Sequence, residues 1–275
     1  MEVKQILDFY LKNSLFHSKY DYDHIFKNIA WFYQYDHITI DAITDYCSFR
    51  SLQGVKNSTI NREVTLIRSA YNFYLKHHSE VDFKNPFLGF KLFEQDFIPR
   101  FLTKSECISL LRASLHFDNY DLHDFILLVL NTGCRASELT TLQWDNVYIS
   151  DRYFIIRNSL SKNRKTIYKP INEQSLQAFN RLKKHHKWVF YSKRTDRNIR
   201  SFRRGYSLAV ERARLGKVRI HDLRHTFASF LVKEGTPIYE VSTLLGHSDT
   251  RITQKYAHLA PDKLHHVLSV LPVLT

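Results

Sequence analysis

Apolar residues recur at helical spacing through the first third of the chain. Ile6, Leu7, Tyr10 and Leu11 form one set, Ile25, Ile29, Phe32 and Tyr33 a second, and Val64, Ile67, Ala70, Tyr71 and Tyr74 a third. A shorter helical stretch, IDAITDYCSFR, follows Thr39, and Asn57 or Ser58 is placed to cap the helix that begins near Thr59. The expected architecture of residues 1–93 is therefore a bundle of four helices. The period fails in DFKNPFLGFK, residues 82–91, at Pro86 and Gly89. Pro99 follows before FLTKSE opens a new helix with Thr103 or Ser105 as its cap. Residues 94–100 read as a linker, and 101–275 as a second domain.

The second domain starts helical and then changes period. Residues 120–131 are apolar and helical, Gly133 supplies a turn, and a helix resumes from Ala136 to Leu142. Next come NVYIS and YFIIR, separated by Asp151 and Arg152, and then KTIYKPI, three short β-branched and aromatic runs suited to an antiparallel sheet. Residues 173–186 and 198–215 read as helices. The fold class expected is mainly α with a small antiparallel β-sheet, a helical bundle followed by an α+β domain.

Composition narrows the class. With 44% apolar and 24% charged residues the chain reads as a globular protein, and no apolar run reaches the length of a membrane span. The opening MEVKQILDFYLKN lacks the pattern of a secretory signal, so a cytoplasmic location is expected. The first helix begins almost at once, so no further domain is expected ahead of it. Cys47, Cys107 and Cys134 are odd in number and far apart, and form neither a disulfide framework nor a zinc site. The net charge of +13 is unevenly placed: residues 1–93 hold 11 Lys and Arg against 10 Asp and Glu, whereas residues 181–219 hold 14 against 2. That second region contains Lys183, Lys184, Lys187, Lys193, Arg194, Arg197, Arg200, Arg203 and Arg204, interleaved with Trp188, Phe190, Tyr191, Phe202 and Tyr206. Such a field suits a polyanion, with a solvated basic surface as the alternative.

Four stretches hold residues able to do chemistry. In NTGCRASELTTLQWDNV, Arg135 opens a helix with Glu138 one turn on; taken singly this is a surface ion pair worth a few tenths of a kcal/mol. In HDLRHTFASFLVKEG, Leu223, Phe227, Phe230 and Leu231 form an apolar stripe, while His221 and Arg224 share one side of the first turn. An anion held there meets imidazole, guanidinium and the positive end of a helix dipole together. His225 is favoured as a packed, hydrogen-bonded residue, and Asp222 as an orienting or capping group. In TPIYEVSTLLGHSDTRITQKYAHL, His247 follows the helix-ending Gly246, Ser248 or Asp249 can cap the next short helix, and Tyr256 ends it. In SLSKNRKTIYKPI, Lys162 and Lys165 lie in a polar turn between strands, by default a charged hairpin tip.

In that order, the arginine of TGCRASEL, the hairpin lysine, His-x-x-Arg in HDLRHT, the histidine of LLGHSDT and the tyrosine of TQKYAHL resemble the tyrosine recombinases, or phage integrase family. The motif likeness spans Gly133 to Leu259, and the helical first part is similar to the core-binding domain of that family. The resemblance implies a site-specific DNA recombinase that integrates, excises or resolves DNA. Tyr256 would be the nucleophile, with Arg135, Lys162, His221, Arg224 and His247 around the scissile phosphate, Lys162 being preferred to Lys165 as the general acid. Glu138 would orient Arg135.

Attack by Tyr256 would leave a 3′-phosphotyrosyl bond and a free 5′ hydroxyl. One phosphodiester replaces another, so no ATP, metal or other cofactor is expected, and no GxxxxGK[ST] loop is present. The expected partner is double-stranded DNA carrying recombination sites, bound by a homo-tetramer on paired sites and by a monomer or weak oligomer when free. Leu264, Val267, Leu268 and Leu271 give the tail a helical stripe that would pack on a neighbouring subunit or its own domain. The rival expectations are a type IB topoisomerase-like strand relaxation and a catalytically silent DNA-binding regulator on the same fold.

Overall fold

The structure, a computed structural model, describes residues 3–14, 25–35, 37–78, 83–94, 100–115, 120–157, 166–182, 184, 186–247, 249 and 251–259. The chain divides into two compact units, Met1–Phe97 and Ile98–Thr275. Among the described residues no helix is long and apolar enough to cross a membrane.

The first unit holds α1 (Val3–Asn13), α2 (residues 25–29, tightening into the 3-10 stretch Ala30–Gln34), α3 (Ile40–Leu52) and α4 (Asn57–His77). The apolar sets read from the sequence meet in one core that buries Ile6, Leu7, Ile29, Phe32, Ile43, Val64 and Ile67, and Phe87 joins it from the segment after α4. Thr39 caps α3 by accepting from the Ala42 N–H at 3.2 Å. At α4 the expected cap is corrected: the helix starts at Asn57, and its N-cap, Lys56, accepts the Thr59 and Ile60 N–H groups through its backbone carbonyl. The core also holds a charge. Glu63, fully buried, accepts from Tyr46 Oη at 2.9 Å, from Asn28 Nδ2 at 3.0 Å and from Arg50 Nε and Nη2 at 3.1 and 2.8 Å. Four donors make its ionised form tolerable, and they tie three helices to one carboxylate.

The second unit begins with α5 (Lys104–Ser114), opened by a capping box in which Thr103 accepts from the Glu106 N–H and the Glu106 carboxylate accepts from the Thr103 N–H. The apolar α6 (Asp121–Thr132) runs through the core and packs against α8 (Glu173–Arg181) and α10 (Ile220–Lys233), burying Phe125, Ile126, Leu128 and Val129. Between α6 and α8 lie the short α7 (Ala136–Thr140) and an antiparallel sheet in the order β1 (Val147–Tyr148), β2 (Tyr153–Ile156), β3 (Ile167–Pro170). Its register pairs Val147 with Phe154, Phe154 with Lys169, and Ile156 with Ile167. After α8 come a hairpin, β4 (Tyr191–Ser192) and β5 (Arg197–Asn198), then α9 (Arg203–Arg212). Beyond α10, α11 (Ile238–Leu245) and α12 (Arg251–Gln254) close a smaller core of Phe227, Ala228, Val232, Val241, Leu245 and Tyr256.

The architecture is thus mainly helical with a small antiparallel sheet, as expected. The helices at 173–186 and 198–215 are corrected: α8 stops at Arg181, α9 starts at Arg203, and the hairpin lies between them. Asp196, at φ 51°, makes the turn that brings Tyr191 opposite Asn198. The helix from Ala136 is also shorter, ending at Thr140.

Gly133 ends α6 in the left-handed conformation, φ 62°, with its N–H on the Val129 carbonyl at 2.9 Å. A Cβ there would lie 2.4 Å from Phe227 Cδ1 and 2.9 Å from Leu245 Cδ2, so α10 and α11 pack directly on this turn. Gly133→Ala adds left-handed strain to overpacking and should destabilise the second unit by about 2 to 4 kcal/mol in denaturant unfolding. A loss below 0.5 kcal/mol would show that the turn has room to yield.

Candidate active site

The turn at Gly133 passes through the buried Cys134 to Arg135, the N-cap of α7. Glu138, in the first turn of α7, accepts from both the Arg135 N–H (2.8 Å) and Arg135 Nη1 (2.6 Å). A single carboxylate therefore fixes the backbone and the guanidinium of Arg135, leaving the rest of the guanidinium fork to point elsewhere.

On α10, Asp222 accepts from the Arg219 N–H at 2.7 Å and from Arg219 Nη2 at 2.7 Å, closing the helix start. His221 is exposed beside it, and Arg224 lies one turn on with only 2% of its surface exposed. Arg224 Nη1 donates to the Gly133 carbonyl at 2.7 Å and Nη2 to the Leu245 carbonyl at 2.8 Å. Two of its five N–H donors are spent on the ends of α6 and α11, and three remain for a ligand.

Gly246 ends α11 in the left-handed conformation and hands the chain to His247, whose Nδ1 is hydrogen-bonded to Thr253 Oγ1 at 2.8 Å. Tyr256 follows α12 and is 1% exposed, its ring in the smaller core and its hydroxyl hydrogen-bonded to Nδ1 of the buried His225. The His225 ring meets that of His221 edge to face at 4.8 Å, and Lys255 Nζ lies 5.2 Å from the Tyr256 ring centre.

These groups act on one another electrostatically. Burial, then the Arg135 charge, pushes Arg224 down to about 10, still cationic at neutral pH. His247 is pushed down to about 4 by burial, followed by the charges of Arg224, Arg135, Lys255 and Lys169. His225 is pushed down to about 3 by burial and then Lys255, and is therefore neutral. Desolvation, then Arg224, also holds His221 below its ordinary value. The Tyr256 hydroxyl is raised by burial, against which the Arg224 charge works. The phenol is thus stored protonated, within the field of one guanidinium.

A cleft of about 440 Å³ opens on this cluster, lined among others by His221, Arg224, Arg203, Arg219, Tyr206 and Ser207. Among the described residues no three His, Cys, Asp or Glu side chains gather as a metal-ligand set. The chemistry on offer is cationic, suited to an anion.

Arg135, Arg224 and His247 are thus brought together, Tyr256 lies in the field of Arg224, and His221 sits at the cleft. Lys162 and its alternative Lys165, Lys183 and the tail stripe lie outside the described residues. Of the basic set, Lys184, Lys187, Lys193, Arg194, Arg197, Arg200, Arg203 and Arg204 are all exposed, and Lys187 Nζ lies 5.7 Å from the Trp188 ring centre. His225 is packed and hydrogen-bonded, and its partner is Tyr256. The sequence reading missed two groups. Arg219 lines the cleft, and Lys169 is fully buried, donating to the carbonyls of Thr132 and Leu244. One signal was present: in KTIYKPI, Lys169 shares the inward register with Ile167 and Ile171.

The sequence profile of the phage integrase family matches residues 100–263. The integrase of Escherichia phage P2 is 32% identical over 242 residues, which cover 86% of this chain and 66% of that protein, just under two thirds of its length. Tyrosine recombinase XerC of Pediococcus pentosaceus is 29% identical over 237 residues, 80% of this chain and 77% of that one. Among solved structures, the Tn1549 transposon integrase in complex with a circular intermediate DNA has a TM-score of 0.80 at 20% identity, covering 98% of this chain and all of the other, a likeness of fold. With its profile matched across most of the second unit and its arginines, histidines and tyrosine gathered in motif order, the chain belongs to the phage integrase family of tyrosine recombinases.

Proposed function

We propose that the protein is a site-specific DNA recombinase that cuts and rejoins strands through a 3′-phosphotyrosyl intermediate. The observation that carries this reading is the gathering of Arg135 and His247 around Arg224, which lines the cleft, with the phenol of Tyr256 held by His225 in the field of Arg224. A phosphodiester repels nucleophiles, and its transition state concentrates charge on the non-bridging oxygens. Arg224 meets that charge with donors already fixed by two helix ends, and Arg135 with a fork fixed by Glu138. Loss of one such set of donors raises a barrier by roughly 3 to 4 kcal/mol.

The tyrosine must change state before it attacks. Its hydroxyl is stored protonated against a neutral imidazole, so DNA binding has to draw it to the phosphate while a base takes the proton. His221 is assigned as that base or relay, and His247, steadied by Thr253, as a donor to the phosphate. Lys162 keeps the general-acid role at the leaving 5′ hydroxyl on family grounds. Asp222 supports the site by holding Arg219 and the start of α10.

Substrate and assembly follow the same reading. The exposed basic hairpin and α9 would track the duplex backbone, residues 1–93 would bind DNA as a core-binding domain, and a homo-tetramer would form on paired sites. The Tn1549 transposon integrase, solved in complex with a circular intermediate DNA, supports a DNA partner.

Incubating the protein with a pool of nicked duplexes in chelator should give a covalent protein–DNA adduct mapped to Tyr256. Tyr256→Phe should abolish the adduct and leave DNA binding within a few-fold of wild type; an adduct in that variant would sink the assignment.

Acid stability follows from the depressed histidines. The unfolded chain protonates them near pH 6.5, whereas the fold resists protonation until about 3 for His225 and about 4 for His247. The unfolded state therefore binds more protons throughout that window, and stability should fall as pH drops from 6.5 toward 4. The slope is at most about 1.4 kcal/mol per pH unit for each histidine. Thermal unfolding across that range should show the decline, and His225→Gln should flatten it; an unchanged slope would mean that His225 is not held neutral.

A further inference from the structure

Lys169 lies in β3 with its whole side chain buried, opposite Phe154 in the sheet. Its Nζ donates to the Thr132 carbonyl at 3.1 Å and to the Leu244 carbonyl. In both helices these are the carbonyls just before the ones that Arg224 takes, those of Gly133 and Leu245. Two buried basic side chains from different elements thus close on the paired ends of α6 and α11, where helix dipoles present their negative ends to N–H donors. Just past each end a left-handed glycine turns the chain, delivering Arg135 on one side and His247 on the other. The strand is fitted to this place as well: a Cβ on Gly246 would lie 2.4 Å from Ile167 Cδ1, so β3 packs directly on the α11 turn.

We infer that Lys169 is a positioning residue of the phosphate-binding centre, setting the separation of the α6 and α11 ends and so the placing of Arg135 and His247 around Arg224. The inference rests on the proposed reading of the site as a phosphodiester-cleaving centre. Filling the core does not require a lysine. Methionine has nearly the same length, and exchanging a buried charge for an apolar side chain is often neutral or stabilising. What methionine lacks is the N–H donors that hold two helix-end carbonyls at one point. Without them the two ends keep their packing at Gly133 and the Arg224 hydrogen bonds, but lose the second clamp that fixes their carbonyls relative to one another. Misplacing a catalytic group by about 1 Å costs on the order of a hundredfold in rate.

The test uses the full chain and one nicked duplex, selected from a random pool by adduct formation with wild type, made with either a phosphodiester or a neutral methylphosphonate at the mapped scissile position. A neutral centre has little need of arginines held on its non-bridging oxygens, so the substrate pair separates loss of placement from general damage. Lys169→Met should cleave the phosphodiester 50-fold or more slowly than wild type in single turnover, while its rate on the methylphosphonate stays within fivefold of wild type. Lys169→Leu, which also lacks donors, replaces it if Lys169→Met lacks the wild-type circular dichroism and unfolding transition, and Lys169→Gln, whose amide still donates, should recover part of the lost phosphodiester rate. Wild-type rates on both substrates, or equal losses on both, would overturn the inference. Failure of wild type itself to form an adduct with any duplex would instead overturn the recombinase reading.

Discussion

The arrangement depends on a guanidinium held in the protein interior by backbone. Arg224 has lost nearly all contact with water, a costly place for a charge unless hydrogen bonds replace the lost hydration. Its two Nη donors find the carbonyls of Gly133 and Leu245, each at a helix C-terminus where the dipole is negative. The cation and the two helix ends stabilise one another. The remaining donors are oriented before any ligand arrives, and an anion then meets fixed dipoles without the reorganisation that solvent would require. The left-handed glycines after these ends belong to the same device. They let the chain reverse within one residue, which places Arg135 and His247 beside the carbonyls that hold Arg224.

Tyr256 shows the converse use of burial. A phenol in the smaller core, bonded to a neutral imidazole, is kept protonated and out of water. Arg224 opposes that tendency but does not overcome it. The resting site is therefore electrostatically ready for an anion while its phenol is not ionised, and an arriving anion, which neutralises part of the cationic field, changes the balance for both. Coupling of this sort needs no remote signal, because the tyrosine hydroxyl and the guanidinium already act on each other.

What could be read from the sequence follows from how local each determinant is. The helices of both units were legible because a period of 3.6 repeats over several turns, as in Val64, Ile67, Ala70, Tyr71 and Tyr74. Thr103 was legible as one of two candidate caps of α5, whereas the Thr39 cap and the Glu106 half of the capping box are seen in the structure. The hairpin at 191–198 was not, since strands of two residues carry no period and Asp196 adopts its left-handed turn without a glycine to mark it. In the site, Arg135, His221, Arg224, His247 and Tyr256 could be singled out by motif order, but their mutual distances are tertiary facts. Lys169 went unnoticed because a lysine in a strand ordinarily points to water. Only the fold shows that its inward register ends on two carbonyls.

The basic residues divide into two physical kinds. Those of the hairpin and α9 are exposed, and their pull on a polyanion is long in range but screened beyond a Debye length of about 8 Å at physiological salt. Arg224 and Lys169 are enclosed by protein, so salt hardly weakens them, but they act only over contact distances. A single kind of cation cannot serve both ends. Exposed charges attract an anion from a distance without fixing its position, and the buried pair can fix a position without acting at a distance. Arg203 lies where the two sets meet, exposed on α9 and lining the cleft over Arg224. An anion attracted by the surface charge therefore meets Arg203 and Arg224 in one cleft.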